Sequence, residues 1–366
     1  MSATTVLKFN IGAPTSQQTL LREEAARLWN RLVKVHKYCR KRHWKWPNQG
    51  QLEKHFKGRF ALHSQTIQAI IGKFAANIDS TTTKRKEGDK QARYPWRDRK
   101  HFQAVVWKGQ SIKREGNRVK LPNGKGRQPL VFKLPFSFPA GKIVQAELGF
   151  RELRLTLSRE VKTVESVGNG VVAADLGAIH LAAMTDGEDA QVIVGRGLRA
   201  LTQYRNKQLA AYSQLLSKCK KGSRRWRKFR CSKAIMLARN ERQQHNLLHH
   251  AANQMIDYCV DRKAGTLVVG DCIDMARNKR KTKKGSRRCN QMNSGNPLGQ
   301  LVTYLAYKGQ RKGVKLKRQE ESYTTQTCPK CGHRHKPSGR NYQCKNPDCD
   351  FIGVRDLVGA ANIKNK

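Results

Sequence analysis

Four cysteines in the last part of the chain constrain its fold more than any other feature. The first two are separated by Pro329 and Lys330, a third follows after twelve residues, and a fourth follows after four more. Two close pairs on facing turns can give Zn²⁺ four thiolates in a tetrahedron without a large core. The sequence therefore predicts a zinc ribbon. Because four thiolates leave no coordination position open, we expect a structural zinc. The predicted ligands are Cys328, Cys331, Cys344 and Cys349.

The other cysteines and the apolar residues indicate the compartment. The remaining six cysteines are scattered singly, as in proteins of a reducing cytosol, which argues against disulfides in the ribbon. Residues 1–10 contain no apolar signal core, and no run approaches the roughly 18 apolar residues of a membrane span. We therefore expect a cytoplasmic protein with no membrane partner, associated with the nucleoid if the host is a prokaryote.

The charge of the chain points to a polyanionic partner. Its 366 residues include 74 Lys and Arg against 26 Asp and Glu, a formal net charge of +48. A compact protein of this charge repels itself unless a polyanion neutralises it. A solubilising charge coat would mix both signs. Many basic groups imply many phosphate contacts, so the sequence predicts a long nucleic acid as partner.

Two basic runs are the predicted phosphate-binding segments. The first, residues 224–230, has aromatic residues interleaved with the basic ones, and the second, residues 277–288, lies in a predicted loop. Contacts of this kind grip a nucleic-acid backbone without reading its sequence. The predicted nucleic-acid-binding residues are Arg224, Arg225, Arg227, Lys228, Arg230, Arg277, Lys279, Arg280, Lys281, Lys283, Lys284, Arg287 and Arg288.

Hydrophobic periodicity divides the chain into two regions. Residues 1–11 alternate as a strand, Thr15 and Gln18 form a capping-box pattern before an amphipathic helix, and Ser64 opens a second helix. From Gln103 to about residue 160 the period changes to two, which predicts a β-rich module. After residue 170, buried-strand runs alternate with long helical stretches, which is typical of an α/β domain.

Two aspartates lie at ends of predicted elements in the second region. Asp175 ends the buried strand run that starts at Val171, and Asp356 begins the final helix. Nucleases of the RNase H-like class need about three carboxylates to hold two Mg²⁺ ions roughly 4 Å apart. An aspartate at a strand end is more often a turn residue or a helix cap, so spacing alone leaves both interpretations open.

Three segments resemble known motifs of one family. Residues Val172–Gly177 look like the first RuvC motif of TnpB proteins and the related type V CRISPR effectors. Residues Ser322–Gly332 are similar to the start of that family's zinc ribbon, and Arg355–Asp356 followed by Gly359–Ile363 resembles its third RuvC motif. The segments occur in the family's order and cover residues 170–366. Tyr94–Pro95 with the helices before it resembles the family's recognition lobe more loosely.

The resemblance implies an α+β multidomain fold. A β-rich wedge module would span residues 1–12 and 92–162, with a helical recognition lobe inserted at residues 13–91. An RNase H-like (RuvC) α/β nuclease domain would follow at residues 163–322 and 352–366, with the zinc ribbon inserted at residues 323–351.

The resemblance also implies a function. It predicts a transposon-encoded, RNA-guided DNA endonuclease, a hydrolase that uses catalytic Mg²⁺ besides the structural zinc. The expected partners are a guide RNA from the transposon end and target double-stranded DNA beside a short motif, in a monomeric ribonucleoprotein. Charge and ribbon alone also fit a ribosome-associated or RNA-packaging protein, but that hypothesis leaves the Asp175 and Asp356 motifs unexplained.

A departure from the family pattern at residue 270 leaves two interpretations. The second RuvC motif usually ends its strand with Glu-Asp, but here Gly270–Asp271 follows the strand. Asp271 is an unsuitable replacement, because adjacent strand residues point to opposite faces. The direct interpretation is a nuclease-dead, RNA-guided DNA-binding repressor. Val358 is a further departure, since the family usually has Asn two residues after the last Asp.

The alternative is a relocated glutamate. Glu320 and Glu321 end the strand that leads into the ribbon, and this strand would lie parallel to the one ending at Gly270, about 4.8 Å away. Some TnpB proteins and their eukaryotic Fanzor relatives carry such a glutamate, so the resemblance favours Glu321 over a pair of surface glutamates. The predicted catalytic, magnesium-binding residues are Asp175, Glu321 and Asp356.

Overall fold

The computed structural model describes residues 2–124, 126–160, 164–271 and 295–366. The chain divides into two compact units, residues 1–162 and 163–366, which are considered one at a time below. The second basic run, from Arg277 to Arg288, lies outside the described residues. Within them, no helix is both long enough and apolar enough to cross a membrane.

Three helices form the first part of unit 1, and side-chain caps begin the first two of them. Thr15 Oγ1 accepts a hydrogen bond from the backbone N–H of Gln18, and Gln18 Oε1 accepts one from the N–H of Thr15. This is the predicted capping box, which satisfies two backbone donors left open at a helix start. The helices are α1 Ser16–Lys41, α2 Gln49–Phe56 and α3 Ser64–Lys86.

The strands of unit 1 form two antiparallel sheets. The four-stranded sheet has the order β1-β7-β6-β2, so the first strand of the chain pairs with the last strand of the unit, and the second sheet has the order β3-β4-β5. The strands are β1 Ser2–Asn10, β2 Val105–Lys108, β3 Lys113–Glu115, β4 Arg118–Leu121, β5 Leu130–Lys133, β6 Lys142–Leu148 and β7 Glu152–Glu160.

One hydrophobic core joins the helices and sheets of unit 1. Leu32 of α1, Phe74 of α3, Trp107 of β2 and Leu155 of β7 are almost completely buried and belong to the same cluster. Burying a large apolar side chain stabilises a fold by about 1.5–3 kcal/mol. The helical part and the β-rich part of this unit therefore stabilise each other.

Unit 2 is built on a mixed five-stranded sheet of order β10-β9-β8-β11-β12. The pairs among β10, β9 and β8 are antiparallel, whereas β11 lies parallel to both β8 and β12. This is the predicted RNase H-like arrangement. The strands are β8 Val171–Asp175, β9 His180–Thr185, β10 Ala190–Val194, β11 Thr266–Gly270 and β12 Lys315–Gln319.

Helices cover this sheet and complete the core of unit 2. Two long helices follow β10, and they are interrupted near residues 218–223. Val172 and Ala174 of β8, Leu267 of β11 and Met255 are completely buried in one cluster. Apolar runs of this kind are typical of central strands covered on both faces. The helices are α4 Arg196–Ser217, α5 Arg224–Asp261, α6 Leu298–Arg311 and α7 Arg355–Asn365.

The parallel strands determine where the candidate site lies. In the register, Ala174 lies opposite Val269, and Gly270 lies opposite Gln319. The carboxyl ends of β8, β11 and β12 therefore meet at one edge of the sheet. Asp175 and Glu321 lie at this edge, because Asp175 ends β8 and Glu321 comes shortly after the end of β12.

A small hairpin lies between β12 and α7. Its strands are β13 Asn341–Gln343 and β14 Ile352–Val354, which pair antiparallel. Its core contains the buried side chains of Cys328, Tyr342, Cys344 and Cys349, together with Val358 from α7. A core with so few apolar residues needs another source of stability. A metal ion bound by the four cysteines can supply it.

Candidate active site and metal centre

The four predicted zinc ligands converge. Their Sγ atoms all lie within 4.8 Å of one another, and no other described group of His, Cys, Asp or Glu residues meets this criterion. Cys328 Sγ lies 3.8 Å from Cys349 Sγ, and Cys331 Sγ lies 3.5 Å from Cys344 Sγ. Disulfide-bonded sulfurs lie about 2.05 Å apart, whereas Zn–S bonds of about 2.3 Å in a tetrahedron place sulfurs about 3.8 Å apart. The cluster therefore fits zinc.

The backbone around the first pair forms a tight turn and favours the thiolate of Cys331. The N–H of Gly332 donates to the carbonyl of Cys328, and the N–H of Cys328 donates to the carbonyl of His333. Gly332 has a φ of 74°, in the left-handed region that favours glycine. A backbone hydrogen bond at His333 is the largest influence that lowers the pKa of Cys331, to about 6. A thiolate is the form that binds zinc.

We expect the purified protein to contain about one zinc per chain. Replacing Cys328 or Cys344 with Ser should remove this zinc and unfold the hairpin, because metal binding and local folding are coupled. Metal analysis and limited proteolysis measure both effects. Cys231→Ser is the matched control, because Cys231 is exposed on α5 and lies outside the cluster. Full zinc occupancy in both ligand variants would show that the ligands lie elsewhere.

Asp175 lies at the sheet edge where β8, β11 and β12 end, which is called the carboxylate edge below. It ends β8 behind the buried residues Ala173 and Ala174. Helix α7 approaches it closely at Gly359, where a Cβ atom would lie 2.5 Å from Asp175 Oδ2. Burial, and after it the nearby carboxylates of Glu321 and Asp356, raise the pKa of Asp175 to about 7. The absence of a side chain at residue 359 therefore allows the last helix to pack against this carboxylate.

Glu321 fills the space that a side chain at residue 270 would need. A Cβ atom on Gly270 would lie 1.9 Å from Glu321 Oε1 and 2.4 Å from its Cγ. Glu321 Oε1 is buried and has no hydrogen-bond partner. Burial, followed by the charge of Asp271, raises the pKa of Glu321 to about 7. An unpartnered buried carboxylate oxygen is costly and is suited to a cation.

Its neighbour Glu320 has different surroundings. Glu320 is exposed, whereas Glu321 is half-buried. The Oγ of Ser322 donates to Glu320 Oε1. The two consecutive glutamates therefore provide one carboxylate beside Gly270 and one in contact with solvent.

Asp356 lies in the first turn of α7 and is held by two basic side chains. His180 Nδ1 lies 2.7 Å from Asp356 Oδ2, and an Arg355 nitrogen lies 3.6 Å from Oδ1. His180 is the first residue of β9. The periodicity of the sequence gave no reason to select His180. Its position shortly after Asp175, on the neighbouring antiparallel strand, is the signal that could have identified it.

The three predicted catalytic carboxylates are neighbours but do not form a tight cluster. Both Glu321 and Asp356 act electrostatically on Asp175. Among the described residues, however, their oxygens do not all approach within 4.8 Å of one another, as the four sulfurs do. Carboxylates that repel each other bind either a proton or a cation. Oxygen donors of this type suit Mg²⁺, so the residues fit the predicted ion.

Two further residues of α7 connect the carboxylate edge to the ribbon. Asn362 Nδ2 donates to the carbonyl oxygens of Thr324 and Thr327, both at 2.7 Å. Val358, the departure from the family pattern, is 2 % exposed and packs in the ribbon core. At position 358 the side chain therefore contributes to packing.

The first basic run begins α5. Ser223 caps the helix by accepting a hydrogen bond from the N–H of Trp226. Within the run, Arg225 lies over the ring of Phe229, with 5.7 Å from Cζ to the ring centroid, and Arg230 lies over Trp226 at 5.0 Å. The charges are presented to solvent, since Arg224, Arg225, Arg227 and Lys228 are exposed.

Two family profiles match segments between residues 155 and 363. Residues 155–276 match the profile described as OrfB_IS605, probable transposase, and residues 299–363 match the Cas12f1-like TNB domain. A curated relative, the CRISPR-associated endodeoxyribonuclease Cas12f1 of an uncultured archaeon, is 24 % identical over 138 residues. That alignment covers 36 % of this chain and only 25 % of the relative.

Solved structures are similar over nearly the whole chain at low identity. A Cas12f1–sgRNA–target DNA complex matches at 17 % identity and a TM-score of 0.40, covering 99 % of each chain. The mini-RNA-guided endonuclease CRISPR-Cas_phi3 matches at 10 % identity and a TM-score of 0.46, covering 100 % of this chain and 92 % of the other.

The fold and the site define a class of protein that combines an RNase H-like sheet, carboxylates at its edge and a four-cysteine cluster that could hold zinc. The two profile matches support a TnpB-like family.

Proposed function

We propose that this chain is a transposon-encoded, RNA-guided DNA endonuclease with a relocated glutamate in its RuvC-type site. The observation that carries the proposal is the side chain of Glu321, which occupies the space above Gly270 and presents a buried, unpartnered oxygen there. The carboxylate that is absent at Gly270, the end of β11, is thus replaced by Glu321, which follows the neighbouring parallel strand β12. The name of the curated relative, an endodeoxyribonuclease, supports DNA as the substrate.

In this proposal Asp175, Glu321 and Asp356 hold Mg²⁺. Mg²⁺ bound there would supply an activated water and stabilisation of the leaving oxygen of the phosphodiester. His180 and Arg355 orient Asp356 through its two oxygens. Burial around Asp175 and Glu321 keeps water away from their oxygens, and this strengthens their electrostatic interactions with a bound cation. The four cysteines hold a structural zinc.

The remaining parts of the chain bind nucleic acid. The net charge of +48 supports a long guide RNA and double-stranded DNA as partners. Base pairing with the guide selects the target, and the protein reads a short adjacent motif. Residues 1–12 and 92–162 act as a wedge module and residues 13–91 as a recognition lobe, in a monomeric ribonucleoprotein. The exposed start of α5 contacts phosphates.

Protein purified from its host at moderate salt should carry a structured RNA of about 100 nucleotides or more. The reason is that the large excess of Lys and Arg side chains needs a polyanion to neutralise it. Sequencing this RNA identifies the guide. Plasmid DNA that matches the guide should then be cut when Mg²⁺ is present and remain intact with a chelator. A preparation that is soluble and free of RNA at moderate salt would contradict the proposal.

A second function differs from the first in one step. If the carboxylate missing at Gly270 is not replaced, the protein binds guided DNA and represses without cutting. The assay above separates the two functions, because a repressor retains the matching DNA in a gel-shift experiment and leaves it intact with Mg²⁺.

A further inference from the structure

An aromatic residue of unit 1 is exposed beside a set of arginines. Residues 92–100 follow α3 and contain no helix or strand. Trp96 in this segment is 61 % exposed. The guanidinium of Arg97 lies over its ring, 5.1 Å from the centroid. An exposed aromatic ring among arginines is a feature of surfaces that bind single-stranded nucleic acids.

The ring of Tyr94, two residues before Trp96, contacts both α1 and α3. Tyr94 OH lies 3.1 Å from Thr82 Oγ1 of α3, and the Tyr94 ring lies 5.1 Å from the buried ring of His36 on α1. Arg40 Cζ lies 4.5 Å and Arg85 Cζ lies 5.8 Å from the Tyr94 centroid. Two helices and one loop therefore place two guanidinium groups around one fixed aromatic ring.

These side chains line one open cavity. Its volume is about 490 Å³, within the range of small-molecule sites. Every charged residue of the lining is an arginine, and all three are exposed. The lining residues are Arg40, Arg85, Arg93, Tyr94 and Trp96.

The chemistry of the lining selects an anion with a flat aromatic group. Guanidinium groups bind phosphate oxygens in a bidentate manner, and without acidic partners in the lining they repel cations. Exposed aromatic rings stack on unpaired bases. We propose that this cavity binds an unpaired nucleotide, with Trp96 stacked on the base and Arg40, Arg85 and Arg93 binding the adjoining phosphates. The nucleotide comes from the guide RNA or from unpaired DNA.

This inference deepens the proposed function, since it specifies where an unpaired nucleotide of the guide or target lies. The test uses the full chain, freed of RNA, with labelled uridine and thymidine homopolymers of about 12 nucleotides. Trp96→Ala should weaken binding of the preferred polymer about 5- to 100-fold. The dependence of affinity on salt should remain unchanged, because stacking releases no counterions. Arg93→Gln should instead reduce the slope against log salt by about 0.7.

Trp44→Ala is the matched control. Trp44 is 57 % exposed and has a guanidinium over its ring, that of Arg42, but it does not line the cavity. Its replacement should change affinity less than twofold, and Trp96→Phe, which keeps a ring, should bind nearly as the wild type does. Stronger binding of uridine assigns the site to RNA, and stronger binding of thymidine assigns it to DNA.

Equal affinities of Trp96→Ala and the wild type for both polymers would overturn the inference. A wild-type protein that cuts guided DNA would in that case leave the proposed function intact. The opposite outcome is also distinguishable. If Trp96→Ala loses polymer binding while the wild type neither carries a guide nor cuts DNA, the cavity is supported and the proposed function is contradicted.

Discussion

Glu321→Gln is expected to lower Mg²⁺-dependent cleavage of guided DNA by about a thousandfold or more, with guided DNA binding unchanged. Gln has the shape of Glu but not its charge, so it keeps the packing above Gly270 and loses the interaction with the metal. A metal-binding carboxylate acts on the transition state, whereas affinity for DNA comes from phosphates and base pairing elsewhere. Single-turnover cleavage and gel-shift measurements on the same preparation separate the two.

Glu320→Gln is the control for this experiment. Glu320 is exposed and contacts Ser322, so its replacement should keep most of the activity. Asp175→Asn and Asp356→Asn should resemble Glu321→Gln, and combining them should add little, because residues that act as a unit have non-additive effects. Cleavage that survives Glu321→Gln would assign the third carboxylate to another residue.

Much of unit 2 could be predicted because its signals are local. The apolar run before Asp175 and the run before Gly270 are strands with buried side chains, and the cysteine spacing predicted the cluster. Parallel pairing of β11 with β12 was inferred from the RNase H-like resemblance, and it is present. That pairing brings Glu321 to Gly270, a contact between residues that are 51 positions apart in the chain.

The contacts that escaped prediction depend on tertiary packing. His180 meets Asp356 because α7 packs against β9, and the two residues are 176 positions apart. Arg40 and Arg85 come from separate helices, and their convergence on Tyr94 depends on how α1 and α3 pack. Periodicity describes which face of a helix is apolar, but it does not describe which residue of another element lies opposite.

Val358 illustrates a different limit. As a departure from the family's Asn, it argued mildly against a cutting site. In the structure its side chain is buried with the cysteines of the ribbon. A polar side chain at this position would need a hydrogen-bond partner in an apolar core. Packing of the ribbon core therefore favours an apolar side chain at residue 358.

Moving the glutamate back to its usual strand is expected to restore activity to an inactive variant. Glu321→Ala removes the carboxylate and should lower cleavage about as much as Glu321→Gln. It also empties the space above residue 270, where a Cβ atom would otherwise lie 1.9 Å from Glu321 Oε1. Gly270 has no left-handed φ, so space and not backbone conformation excludes a side chain there.

Gly270→Glu combined with Glu321→Ala should therefore cut guided DNA at least about tenfold faster than Glu321→Ala alone. Gly270→Glu by itself should melt at a lower temperature than the wild type, because its new side chain collides with Glu321 and adds a negative charge beside Asp175. Cleavage rates at fixed Mg²⁺ and thermal melting of all four proteins test this. A double variant that folds, binds guided DNA and cuts no faster than Glu321→Ala would show that the two positions do not serve the same metal site. In that case Glu321 would not be the relocated form of the glutamate missing at residue 270.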